Sequence, residues 1–354
     1  MKHIVLTGGG TAGHVTPNIA LMGRLKEQGY QISYIGSYNG IEKTLIEELG
    51  IPYYGISSGK LRRYFDLKNF TDPFRVLKGF SEARKLLKQL KPDVIFSKGG
   101  FVTVPVVIAA GRLKIPAIIH ESDMTPGLAN KLCIPSAVKV CCNFPETKAH
   151  LPEGKAVVTG TPIRPELLQG DADKGRAFTG FTSEKPVIMI IGGSLGAQAV
   201  NDAIRRILPE LLKDFQVVHL CGKGKQDDSK NDLKGYVQYE YIESELADLF
   251  AMADIVISRA GANAICELQA LKKPNLLIPL SANASRGDQI LNARSFEKQG
   301  FSMVLEEEAI TDEVLLRAVH DLYDRRETYR AAMENAPGQD SISVICDLIR
   351  SCRK

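Results

Sequence analysis

No apolar run in the sequence approaches the ~18 residues that would carry a helix across a bilayer. Met1-Lys2-His3 leads straight into a short strand-like stretch rather than a signal-peptide pattern, so the chain is expected to stay in the cytoplasm. Its seven cysteines (Cys133, Cys141, Cys142, Cys221, Cys266, Cys346 and Cys352) include no C-x-x-C pair. That argues against a zinc site and a disulfide framework, leaving small buried thiols in a reducing compartment. No DNA- or RNA-binding motif is recognisable, and nucleic acid is not expected as a partner. The one Asp-x-Asp, Asp171-Ala172-Asp173, lies in a polar, irregular stretch between Gly170 and Gly175. It reads as a solvated loop, so no obligatory structural metal is expected.

At 354 residues the chain exceeds the about 250–300 residues over which a single hydrophobic core grows, and two domains are expected. An apolar content of 44% is that of an ordinary globular protein. The net charge of +4 is unevenly spread. From Lys60 to Lys91, ten Lys or Arg face only Asp66, Asp72 and Glu82, a local +7 that leaves −3 for the rest. Aromatics are interleaved there, and Phe70, Phe74 and Leu77 follow helical spacing. Phe70, Phe74, Arg75, Leu77, Lys78 and Phe80 therefore form a candidate patch for anionic lipid headgroups. The same pattern also fits an amphipathic helix with its apolar stripe in the core and its charges in water.

Short apolar segments at Ile4–Leu6, Ile32–Ile35, Val94–Phe96, Ala117–His120 and Val138–Cys141 alternate with amphipathic helical patterns. This alternation predicts a parallel sheet with helices on both faces. The first segment runs into Thr7-Gly8-Gly9-Gly10-Thr11-Ala12-Gly13-His14, a glycine-rich corner before a helix. Backbone amides at such a helix start suit a phosphate or sugar. His14 is the side chain there that can exchange a proton near neutral pH. Gly8-x-Gly10-x-x-Gly13 also fits a dinucleotide fingerprint, but the second strand ends in Gly36-Ser37-Tyr38 without the carboxylate that would hold a ribose. Lys98-Gly99-Gly100 and Glu121-Ser122-Asp123 follow strands, so they belong at the ligand-binding edge with Gly9, Gly10 and His14.

Two prolines and a glycine in Thr159-Gly160-Thr161-Pro162-Ile163-Arg164-Pro165 mark a domain boundary. The alternation then resumes at Val187–Ile191, Gln216–Leu220, Ile255–Ser258, Asn275–Ile278 and Ser302–Leu305, with a second glycine-rich corner at Gly192–Gln198. The expected organisation is a first domain over 1–162, a second over 163–338, and a C-terminal helix within 339–354 that can return to the first. Ile255-Val256-Ile257-Ser258 leads through Arg259-Ala260-Gly261 into a helix carrying Ala262, Asn263, Ala264, Ile265, Cys266 and Glu267. Amides at that helix start can take a diphosphate, and Glu267 can accept hydrogen bonds from a ribose diol. It reads equally as a surface glutamate behind a packing turn.

Five separately placed motifs carry a resemblance that spans nearly the whole chain in order. They are Gly9-Gly10-Thr11-Ala12-Gly13-His14, Gly160-Thr161-Pro162-Ile163-Arg164, Gly192-Gly193-Ser194-Leu195-Gly196-Ala197, Ser258-Arg259-Ala260-Gly261-Ala262 with Glu267, and Gln289-Ile290-Leu291-Asn292-Ala293. The chain resembles the MurG family, peptidoglycan glycosyltransferases that add N-acetylglucosamine to a lipid-linked muramyl pentapeptide. The resemblance implies an α/β protein with two tandem Rossmann-like doubly wound domains (GT-B) and an interdomain cleft. It implies a UDP-N-acetylglucosamine donor on the second domain and an undecaprenyl-diphosphate-linked muramyl peptide on the first, at the cytoplasmic face of an anionic membrane. No cofactor is implied.

By the same resemblance Glu267 holds the ribose, Ala262 to Glu267 the diphosphate, and Ile242 reads the uracil through its main chain. Arg164, Ser194 and Gln289 are donor contacts. Thr11, Ala12 and Gly13 with Asn130 serve the sugars, and His14 is the base. Arg259 or Arg164 is expected to stabilise the leaving diphosphate in an inverting single displacement. Four positions depart from the family pattern: Asp123 for an amide, Leu195 for a common glutamine, Ala264 for a common threonine, and Asp288 before Gln289. The rival readings are transfer to another lipid such as diacylglycerol, a UDP-N-acetylglucosamine epimerase, and a non-catalytic membrane-surface scaffold.

Overall fold

The computed structural model describes residues 2–59, 72–193, 196–282, 287–336 and 340–353, the side chains of 72–74 excepted. The chain falls into two units, Met1–Arg164 with Gln339–Lys354, and Pro165–Gly338. The first unit runs β1 (Lys2–Thr7), α1 (Thr16–Glu27), β2 (Tyr30–Ser37), α2 (Ile41–Glu47), β3 (Tyr53–Ile56), α3 (Asp72–Leu90) and β4 (Val94–Ser97). It continues with α4 (Thr103–Arg112), β5 (Ala117–Glu121), α5 (Leu128–Cys133), β6 (Lys139–Cys142) and β7 (Ala156–Val158). Its sheet has the order β3-β2-β1-β4-β5-β6-β7, with every pair parallel. Thr7 stands level with Ile35 and with Ser97, so the loops that follow these strands emerge at one edge.

Alternation within β1 explains the layering. Ile4 and Leu6 join Leu21 and Leu25 of α1 on one face, while Val5 joins Ala83 and Leu87 of α3 and Val106 and Val107 of α4 on the other. A strand covered by helices on both faces must be apolar on both, which is why the central strands read as continuous hydrophobic runs. Each such fully buried Ile, Leu or Val stabilises the fold by about 1.5–3 kcal/mol, an upper figure because denatured chains already bury some apolar surface.

The second unit contains α6 (Ala172–Thr179), β8 (Val187–Ile191), α7 (Gln198–Asp214), β9 (Gln216–Leu220), β10 (Tyr236–Tyr239), α8 (Leu246–Met252) and β11 (Ile255–Ser258). It ends with α9 (Ala262–Ala270), β12 (Asn275–Leu277), α10 (Asp288–Lys298), β13 (Met303–Val304), α11 (Asp312–Asp324) and α12 (Arg326–Asn335). Its parallel sheet has the order β10-β9-β8-β11-β12-β13. Helix α13 (Ser341–Cys352) belongs to the first unit, where Ile345, Cys346 and Ile349 are buried in the same cluster as Leu21 and Leu25.

Two local expectations are corrected. The stretch between Gly170 and Gly175 is not a solvated loop, because Asp171 caps α6 by accepting from the Asp173 amide at 2.9 Å. The Asp-x-Asp pair is therefore a helix-start device. On α3, Phe80 faces inward with Ala83 and Leu87, since positions i, i+3 and i+7 share a face. It is core rather than membrane patch. Arg75, Leu77 and Lys78 remain outside, Leu77 with 67% of its surface exposed. Phe70 and the side chain of Phe74 lie outside the described residues.

Candidate active site

The loops after β1, β2, β3 and β4, with the exposed side of α3, line an open pocket of about 810 Å³ within the first unit. Gly9, Gly10, Thr11 and His14 form one wall, Ser37 to Glu42 a second, and Ile56 to Ser58 with Gly100 to Val102 a third. Arg75 and Lys78 supply the positive charge. The glycine corner differs from expectation in one respect. The Gly9 amide donates to Gly99 O at 3.3 Å and the Gly10 amide to Glu42 Oε2 at 3.1 Å, so two of its amides are satisfied from within the protein. Gly10 has φ +89°, a conformation that disfavours any side chain.

His14 ends a short turn, Ala12–His14, just before α1. Its Nδ1 lies 3.1 Å from Gly9 O and 3.2 Å from Thr11 Oγ1. A carbonyl only accepts, so Nδ1 carries the proton and Nε2 holds the lone pair. Burial above all, and then the charge of Lys98, push this imidazole down from 6.5 to about 4, against smaller upward pulls from Gly9 O and Glu42. His14 is therefore neutral at physiological pH. A β-carbon on Gly99 would stand 3.8 Å from both His14 Nε2 and Asn130 Nδ2, so the two side chains converge beside Gly99.

Beneath them lies a buried polar layer. Lys98 Nζ donates to His120 Nδ1 at 3.2 Å and to Ser122 Oγ, and His120 Nε2 donates to Gly160 O at 2.9 Å. Burial and the neighbouring Lys98 hold His120 well below the usual histidine range. Glu121 accepts from Asn130 Nδ2 at 2.8 Å and from the amides of Asp123 and Gly127, both at 3.0 Å; burial nonetheless raises its carboxyl above the ordinary range. The Asn130 amide nitrogen also reaches His120 O at 3.1 Å. Asn130 thus braces β5 against α5, and neither it nor Asp123 lines the pocket.

In the second unit β11 turns at Gly261 into α9, and Gly261 has no side chain with which to cap the helix. A β-carbon there would meet nothing within 4 Å, so the space before the helix start is open. Ala262 to Glu267 form the first turns, Glu267 half-buried, and Ala264 is as expected a residue without a hydroxyl. Asn292 of α10 donates to Ala260 O at 3.3 Å, and Gln289 Oε1 accepts from the Leu280 amide at 3.0 Å. Ile242 is buried in the loop after β10. Arg164 is partly buried, with its Nε shielded from solvent. Asp288 opens α10.

Arg259 is held within the protein. Its guanidinium donates to Ile278 O at 3.1 Å and Pro279 O at 3.2 Å, and forms an ion pair with Glu307. Ser194 and Leu195 lie outside the described residues.

The sequence reading placed Lys98 at this edge without its contact to His120, and missed Glu42 and the hydroxyls of Ser37, Ser57 and Ser58. The only sequence signal for Glu42 was the pair of glycines, Gly36 and Gly40, ahead of it.

A model of the glycosyltransferase family 28 N-terminal domain matches residues 4–142, and one of the family 28 C-terminal domain matches residues 187–347. The chain belongs to glycosyltransferase family 28. Among its family 28 relatives is the UDP-N-acetylglucosamine–N-acetylmuramyl-(pentapeptide) pyrophosphoryl-undecaprenol N-acetylglucosamine transferase of Lachnoclostridium phytofermentans. That protein is 69% identical over 353 residues, covering 100% of this chain and 99% of the relative. The protein of the same description from Clostridium perfringens is 59% identical over 347 residues, covering 98% of this chain and 97% of the relative. Among solved structures, Acinetobacter baumannii MurG is similar with a TM-score of 0.78 at 28% identity, covering 99% of this chain and 100% of that one. A UDP-GlcNAc 2-epimerase from Methanocaldococcus jannaschii has a TM-score of 0.72 at 16% identity, covering 99% of this chain and 100% of that one, a likeness of fold alone. The motif resemblance and the expectation of two Rossmann-like domains both hold, and the dinucleotide and scaffold readings fall away.

Proposed function

We propose that the chain transfers N-acetylglucosamine from UDP-N-acetylglucosamine to a lipid-linked muramyl pentapeptide, with inversion at the anomeric carbon. The observation that carries this reading is His14, a neutral imidazole on the wall of a pocket large enough to admit a sugar, with its Nδ1 proton held by Gly9 O. As the acceptor hydroxyl attacks, Nε2 takes its proton, the new glycosidic bond forms and the bond to UDP breaks. A positioned base of this kind contributes about 10²–10⁴-fold.

The donor diphosphate is assigned to the start of α9, the ribose to Glu267, and the orientation of the loop after β12 to Gln289 and Arg259. The acceptor is assigned to the pocket of the first unit. There Arg75 and Lys78 face its diphosphate, and Leu77, exposed between them, meets the lipid surface. Among the described residues no helix is long and apolar enough to cross a membrane. Attachment through this patch is the membrane contact proposed.

The test offers labelled UDP-N-acetylglucosamine with the muramyl-pentapeptide lipid, or with diacylglycerol, and follows label into the lipid fraction. Transfer to the muramyl lipid that collapses in His14→Ala is the expected result. Label in diacylglycerol alone, or turnover of the donor without any lipid, overturns the reading.

A further inference from the structure

We infer that Glu42 is a positioning residue for His14, acting through the peptide bond between Gly9 and Gly10. This rests on the reading of His14 as the base. Glu42 is 0% exposed although it is a carboxylate at the foot of an open pocket. Its Oε2 accepts from the Gly10 amide at 3.1 Å, and the carbonyl of the same peptide unit, Gly9 O, accepts from His14 Nδ1 at 3.1 Å. Its Oε1 is fixed by the Ser37 amide at 3.0 Å and by Ser37 Oγ at 2.5 Å. Carboxylate, amide and imidazole thus form one hydrogen-bonded line. The corner is shaped around it, since a β-carbon on Gly9 would stand 2.5 Å from the Glu42 carboxyl carbon.

A negative charge on the N–H side of a peptide polarises it and makes its carbonyl a stronger acceptor. Gly9 O then holds the Nδ1 proton more firmly, which fixes the tautomer and presents the Nε2 lone pair to the substrate. When Nε2 gains the acceptor's proton, the ring becomes cationic and the polarised carbonyl and the carboxylate both stabilise it. The role resembles that of the buried carboxylate in a catalytic triad, which orients an imidazole and is not itself protonated, but here an amide is interposed. The need for it is plain from the surroundings. Lys98, just after β4, sets positive charge against His14, Glu42 of α2 acts in the opposite sense, and Arg75 and Lys78 of α3 add positive charge to the lining of the same pocket.

The experiment is a double-mutant cycle on turnover at saturating donor, using Glu42→Gln, His14→Ala and the pair. Acting through His14, Glu42→Gln is expected to lower kcat tenfold to a hundredfold with donor KM within twofold. It is expected to cost less than twofold more in the His14→Ala background, and Glu42→Asp is expected to recover part of the loss. An equal loss in both backgrounds, or kcat within threefold of wild type in the single variant, overturns the relay. Should Glu42→Gln fail to fold, Glu42→Asp takes its place in the cycle: a loss of kcat that disappears in the His14→Ala background supports the relay, and an equal loss in both backgrounds refutes it. If His14→Ala keeps normal turnover, the base assignment itself has failed. If His14→Ala is inactive and Glu42→Gln is not, only the relay has.

Discussion

Acidity offers a sharp way to examine His14. An ordinary histidine with a pKa of 6.5 that must be neutral to act would leave about 9% of the enzyme competent at pH 5.5. Burial and Lys98 bring His14 to about 4, and the same arithmetic then leaves about 97% competent at pH 5.5. The two cases differ roughly tenfold at a pH where the donor diphosphate does not change its charge. The measurement is kcat/KM for a soluble acceptor analogue between pH 5 and 8.5, which reports protonation in the free enzyme. A far-ultraviolet circular dichroism spectrum at each pH confirms that the protein is folded. A flat profile down to about pH 5.5 is expected. An acid limb with its midpoint between 6 and 7 that disappears in His14→Asn would refute the argument, because it would mean that the ring is far better solvated than its hydrogen bonds and neighbours imply.

Other consequences follow from the remaining side chains. Changing Arg75 and Lys78 to Glu and Leu77 to Ser is expected to raise acceptor KM at least tenfold and reduce sedimentation with anionic vesicles, leaving donor KM unchanged; undiminished vesicle binding removes the patch from the membrane. Glu267→Ala is expected to raise donor KM about tenfold with a smaller change in kcat, checked by titrating donor at fixed acceptor. Arg259→Met leaves Glu307, 21% exposed, without its ion-pair partner and the carbonyls of Ile278 and Pro279 without this donor, and a loss of about 1–3 kcal/mol is expected from chemical denaturation. His219 is fully buried, and burial, then Arg205, lowers it to about 3. Its depressed folded value means that the unfolded chain takes up the proton first, so its contribution to stability is intact above about pH 6.5 and is lost as pH falls towards 3. Replacing it by Gln should flatten the fall of melting temperature over that window.

The interior strands were legible because a parallel strand under two layers of helices has no polar alternative. Val187–Ile191 and Gln216–Leu220 coincide with the expected segments. The strands that were not foreseen, β3, β7 and β10, all lie at sheet edges. Edge strands are short and half-solvated, and Tyr53-Tyr54-Gly55-Ile56 or Tyr236-Val237-Gln238-Tyr239 carries too little period-two contrast to stand out.

The site divides in the same way. His14 announced itself by sitting inside a local motif. Glu42 did not, because its meaning lies in a bond to Gly10 across 32 positions that only the packed loops create. Arg259 shows the same limit: its motif fixed where the residue sits, while Ile278, Pro279 and Glu307, which meet its guanidinium, are remote in sequence. Lys98 followed a strand that was correctly foreseen, but a lysine after a strand gives no hint of the histidine it will meet.

The placement of α13 bears on how the protein is made. The first unit appears earliest from the ribosome, yet Ile345, Cys346 and Ile349 fill part of its interior. Until those residues emerge, α1 has a greasy side open to water, and an unfinished half waits while the second half is synthesised. Domains built from one continuous segment can mature as they emerge, but this one closes only after the other has been translated. Nascent chains halted before residue 341 are therefore natural clients for chaperones and proteases.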